Sequence, residues 1–202
     1  MKPILFNTPM VRAILDGRKT HTRRVCKITV NGNQPVDHRR CESLVYPERN
    51  HEGICANFYG GSGLYKGASK PQYQPGDILY VRETWAEWTG GYVYKADGSA
   101  SPYPLNFVDR WHPSIHMSRE AARLFLRVTD VWAERLQKID EYGAKAEGAE
   151  MVQVSRTLYS YRKGFGKLWN STIKPVDRDR YGWAANPWVW TYEFERCEKP
   201  EV

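Results

Sequence analysis

Leu124-Phe-Leu-Arg-Val-Thr-Asp-Val-Trp-Ala-Glu-Arg-Leu136 carries the longest strand signal of the chain. Leu124, Leu126 and Val128 recur at every second position, the period of one buried strand face. Past Thr129-Asp130 the apolar parity moves to Val131 and Ala133. One extra residue, a β-bulge, accounts for such a shift and bends the strand. A long, bent strand suits a small barrel.

Elements on either side support a β-rich domain. Residues 3–6 read as a short strand, followed by Thr8 as N-cap and Pro9 at the first helical position. Met10, Val11, Ile14 and Leu15 share one helical face, and Gly17 stands where a C′ glycine belongs. Pro75-Gly76-Asp77 is a turn, and 78–85 a strand with Leu79, Val81, Glu83 and Trp85 on one face. A carboxylate beside two aliphatics is either paired with a cation or part of a pocket. Asp140 caps a second short helix that closes near Gly148, with Glu141 in its first turn. Leu158, Tyr161, Phe165, Leu168 and Trp169 follow a helical period that Gly164 and Gly166 weaken. Residues 188–196 form a closing strand, with Trp188, Trp190, Tyr192 and Phe194 on one face. Strands and helices do not alternate regularly, which predicts an α+β class and not a doubly wound sheet. Residues 31–75 show little periodicity and are expected to be a mostly irregular insertion with at most a short strand or hairpin.

The 202 residues carry 30 Lys+Arg against 23 Asp+Glu, a net charge of +7. That surplus favours a polyanionic partner, nucleic acid first. Eight Trp and 13 Tyr supply groups that can stack on bases as well as fill a core. No run reaches the roughly 20 apolar residues of a membrane helix, and the N-terminal residues lack a leader's apolar stretch. Cys26, Cys41, Cys55 and Cys197 show no disulfide framework, so a reduced, cytoplasmic protein is expected. His38, Cys41, His51 and Cys55 could in principle bind zinc, but their spacing is not that of a common zinc module. An ordinary loop and no cofactor are the expectation there.

Chemistry concentrates in Gly17-Arg-Lys-Thr-His-Thr-Arg-Arg24, which contains no apolar residue. It reads as either a solvated basic loop or the rim of a site for an anion. This segment, together with PGDILYVRETW (75–85) and FLRVTDVWAERLQKIDEYGAKAEGA (125–149), resembles the ASCH domain in order and spacing. The resemblance implies a PUA-like small β-barrel with short flanking helices. It makes 1–202 one domain, with insertions at about 31–75, 86–115 and 150–187. It also implies an RNA- or nucleotide-binding pocket, with Arg18, Arg23 and Arg24 on phosphate and Glu83 and Trp85 among the ligand contacts. The alternative it offers is a hydrolase acting on a modified nucleoside or RNA, similar to N4-acetylcytidine amidohydrolases or ribonucleases. Lys19, Thr22 and Glu141 match that catalytic pattern, with Glu147 a second candidate for the carboxylate. A phage-associated interaction protein without catalysis is the third reading. Thr22 would attack and Lys19, its pKa depressed by Arg18, Arg23 and Arg24, would serve as base. In a straight strand residues 19 and 22 face opposite ways, so a working pair requires a bend.

Overall fold

The computed structural model describes residues 1–46, 53–103 and 105–200. The first half of the chain runs β1 (Lys2–Leu5), α1 (Thr8–Leu15), β2 (His21–Val25), β3 (Thr29–Val30), β4 (Gln34–Pro35), β5 (Ser43–Val45), β6 (Ala56–Tyr59), β7 (Tyr65–Ser69), β8 (Ile78–Arg82), β9 (Trp85–Trp88) and β10 (Gly91–Tyr94). The second half runs β11 (Phe125–Arg135), α2 (Glu141–Ala146), β12 (Val152–Gln153), β13 (Tyr159–Ser160), α3 (Tyr161–Thr172), α4 (Arg178–Tyr181) and β14 (Trp188–Cys197). The class is α+β.

The main sheet has the order β1-β8-β11-β14-β2, with β1 parallel to β8 and the other pairs antiparallel. The β11–β14 register shifts between Val128 and Asp130, where the change of apolar parity places a bulge. The sheet is not closed into a barrel: β1 and β2 are its two edges. A side chain crosses the seam instead, Arg24 Nη2 donating to the Leu5 carbonyl at 2.8 Å.

β14 is buried on both faces. Trp190, Tyr192 and Phe194 are each at most 3% exposed in the larger core, with Leu79, Val81, Leu126 and Val128. Burying a side chain of that size contributes roughly 2–3 kcal/mol. Val189, on the other face, joins Leu136, Ile139, Phe165 and Trp169 under α2 and α3. Gly164 is a requirement of this packing, since a Cβ there would lie 1.9 Å from the Glu150 carbonyl oxygen; a Cβ on Gly166 would press on the Trp183 ring at 3.2 Å.

Residues 31–75 are not an irregular insertion. They contribute to a second antiparallel sheet, β4-β3-β7-β6-β5. Ile28, Cys41, Ala56 and Phe58 carry it onto the larger core, where Phe58 meets Trp188 edge to face at 5.4 Å. Its strands are two to five residues long, too short to show a period of two in the sequence. Gly67 sits where a Cβ would come within 2.7 Å of the Thr29 carbonyl oxygen of the neighbouring strand.

α1 begins one residue earlier than Thr8 as N-cap implies: Asn7 Oδ1 accepts from the Met10 N–H at 3.0 Å. Gly17 ends the helix with φ of 72°, the left-handed turn that favours glycine. The chain then re-enters the fold through Lys19, whose backbone bridges to Glu147 at the end of α2.

Candidate functional site

The basic segment 17–24 does not form a loop. Its second half is the edge strand β2, and Lys19, Thr22 and Arg23 are buried. Burial of charges is tolerable only with counter-charges and filled hydrogen bonds. Lys19 Nζ donates to the Glu147 carboxylate at 2.8 Å, the Glu147 carbonyl at 2.9 Å and the His21 carbonyl at 2.7 Å. All three ammonium protons are thereby engaged. Arg23 donates to Glu147 at 3.2 Å and to Glu134 at 2.7 and 3.0 Å, while Thr191 Oγ1 donates to the same Glu134 oxygen at 3.0 Å. Burial pushes the Lys19 pKa down; Glu147 opposes the shift, and Arg24 and Arg23 add to it.

The pleat separates the remaining residues of β2. Arg23 is in register with Thr191, Thr22 with Tyr192 and Arg24 with Trp190. Thr22 and Arg24 therefore face the larger core and the seam, away from Arg23. Glu141 makes no contact with Lys19. It is exposed and accepts from Ser160 Oγ at 2.5 Å, Tyr161 N–H at 2.7 Å and Arg162 N–H at 3.3 Å, which caps α3. These bonds, the one from Ser160 first, hold its carboxyl below the usual range. The carboxylate facing Lys19 is Glu147, six residues later.

Other residues expected at the site have partners of their own. Arg18 is exposed and pairs with Asp16 at 2.9 Å. Glu83, 1% exposed, is held by Arg123 at 3.0 and 3.2 Å, and Arg123 also meets Asp97 at 2.7 Å. Burial raises the Glu83 pKa against the pull of Arg123. Trp85 is enclosed between the rings of Tyr92 and His112 and offers no open face for a base. His38 Nδ1 accepts from the buried Trp188 N–H at 3.1 Å, and Cys41 packs in the larger core. His51 lies outside the described residues, and among the described residues no cluster of His, Cys, Asp or Glu is arranged to hold a metal. No helix among them is long and apolar enough to cross a membrane.

A cavity of about 610 Å³ opens at the seam between the sheet edges. Trp190, Tyr192 and Tyr73 form its floor, and Pro3 and Leu5 of β1 one wall. Four cationic residues line it: Arg24 and Lys27 from the β2 side, Arg82 from β8, and Lys70 from the segment joining β7 to β8. Gln72 completes the rim, and none of the described lining residues is acidic. Arg24 is the one expected ligand-binding residue that reaches this cavity. Lys27, Lys70, Gln72, Tyr73 and Arg82 were not singled out by sequence reading. The only signal for any of them was Arg82, on the strand face opposite Glu83; the others meet only once the sheet curls.

No protein-family model, no curated protein and no solved structure matches the chain.

Proposed function

We propose that the chain is an ASCH-type domain with a PUA-like barrel opened at its β1–β2 seam, and that it binds a nucleotide or single-stranded RNA in the cavity there. One observation carries this reading: four cationic residues line an aromatic-floored cleft to which the described residues contribute no carboxylate. Cations elsewhere in the segment 17–24 are neutralised by Asp16, Glu134 or Glu147. Arg24, Lys27 and Arg82 around the cleft meet no carboxylate among the described residues and leave a local excess of positive charge that phosphate would satisfy. The exposed apolar wall of Pro3 and Leu5 offers a base a surface to leave water against.

Amide hydrolysis by Lys19, Thr22 and Glu141 has less support. The depressed Lys19 pKa speaks for it, but a base must release or accept a proton, and this ammonium is fully enclosed with every donor engaged.

Fluorescence anisotropy of a labelled single-stranded RNA decamer tests the binding reading. Three phosphate contacts, from Arg24, Lys27 and Arg82, predict a slope of about −2 in log affinity against log salt. Arg24→Ala combined with Arg82→Ala is expected to reduce that slope to about −0.7 and weaken binding at least about tenfold at low salt. Equal affinity and slope in the double variant would place the ligand elsewhere.

A further inference from the structure

Resting on the reading of the cleft as a nucleotide site, we infer that Gln72 is its base-reading residue, and that the cleft binds a nucleoside phosphate in one direction. The two ends of the cavity differ. At one, Leu5 is the backbone register partner of Arg82 and its carbonyl accepts from Arg24 at 2.8 Å, while the Arg82 guanidinium donates to the Ile115 carbonyl. At the other, Tyr73 Oη donates to the Pro3 carbonyl at 2.7 Å, and the Gln72 N–H donates to Tyr192 Oη at 3.0 Å. Pro3 and Leu5 share a strand face about 6.6 Å apart. In this reading the phosphate lies at the arginines and the base edge at Gln72.

The hydrogen-bonding inventory singles out Gln72. The floor's polar atoms are used within the protein: Trp190 Nε1 donates to Ser69 Oγ at 3.0 Å, and the two tyrosine hydroxyls are engaged as above. Arginine and lysine have no acceptor to offer a base N–H. Gln72 is exposed, lines the cavity, and its side-chain amide has no partner among the described residues. A primary amide presents a donor beside an acceptor, the pattern that meets a base edge in two bonds. Its backbone is pinned to Tyr192, so the amide is presented from a fixed point.

Titration calorimetry with ribose 5-phosphate and the four nucleoside 5′-monophosphates tests this. At least one monophosphate is expected to bind about tenfold more tightly than ribose 5-phosphate, the worth of two net hydrogen bonds. Gln72→Leu should remove that preference and bring the monophosphate to the ribose 5-phosphate level. Arg24→Ala should weaken both ligands together. A preference that survives Gln72→Leu overturns the assignment, as does a wild-type protein with no preference over ribose 5-phosphate; in the second case the anion site itself still stands. Absence of binding to every one of these ligands and to the RNA decamer removes the cleft reading along with the assignment. The same unit occurs free and within a strand: tighter binding of the decamer with the same Gln72 sensitivity assigns it to a strand, and tighter binding of the monophosphate to a free nucleotide.

Discussion

Glu147→Gln probes the buried charge network most directly. The carboxylate takes Lys19 Nζ at 2.8 Å and Arg23 Nη1 at 3.2 Å, with Lys19 and Glu147 side chains 0% and 4% exposed. At an effective dielectric near 20, each contact has a gross Coulomb energy of about 5–6 kcal/mol. Desolvation offsets most of this while both partners are present. Removing one charge leaves the other's desolvation uncompensated, which costs about 3–5 kcal/mol for a buried pair. The glutamine oxygen can still accept one hydrogen bond, so a loss of about 3 kcal/mol is expected. Lys19→Met should cost less than half as much, because Glu147 keeps Arg23 and an expensive buried ammonium is removed. In Lys19→Met with Glu147→Leu, Arg23 retains Glu134, and stability should lie within about 1 kcal/mol of Lys19→Met alone. Urea unfolding followed by tryptophan fluorescence reads these differences as midpoint shifts, about 1–1.5 M downward for Glu147→Gln. A Glu147→Gln midpoint close to wild type, or a Lys19→Met loss as large as that of Glu147→Gln, would refute the reasoning.

Two further outcomes are expected. Burial first, then Arg135, holds the His38 pKa at about 4 against an ordinary 6.5; between those values the unfolded chain binds the extra proton, so stability should fall by about 3 kcal/mol as pH drops through the window. His38→Asn, whose side-chain oxygen can still accept the Trp188 N–H, should flatten that dependence in urea midpoints measured from pH 7 to pH 4. Glu141→Ala removes the carboxylate that caps α3 and should cost about 1 kcal/mol, a melting shift of roughly 2–4 °C, with RNA affinity unchanged; loss of RNA affinity in the folded variant would return Glu141 to the site.

What could be read from the sequence were features encoded within one element. The bulge at Val128–Asp130, the ending of α1 at Gly17 and the cap at Asp140 all show in local pattern. Contacts between distant segments left no such trace. Lys19 and Glu147 are 128 positions apart, and nothing in the α2 segment distinguishes Glu147 from Glu141 until the Lys19–Glu147 bridge sets its position. The cleft likewise joins residues near 3, 24, 72, 82 and 190 through the curl of the sheet. The absence of apolar residues in 17–24 pointed away from buried structure, because hydrophobic pattern cannot foresee cations neutralised by carboxylates from other elements.

The two adjacent arginines of β2 show what those carboxylates specify. Arg23 turns to Glu134 and Glu147; Arg24 turns to the Leu5 carbonyl and the cleft. A strand has a side-chain period of two, so a slip of one residue in β2 would exchange the two faces. In one direction Thr22 would come to the Glu134 and Glu147 carboxylates in place of Arg23; in the other Arg24 would, leaving the cleft, and Lys19 would lose its place opposite Glu147. Several kcal/mol of unpaired buried charge oppose that slip. Edge strands are the ones most free to slip, and β2, paired only with β14, lacks the alternating apolar pattern that fixes register elsewhere. The buried ions therefore hold the register that points Arg24 at the ligand. Weakening them should disturb binding through the position of β2, although none of them touches the cleft.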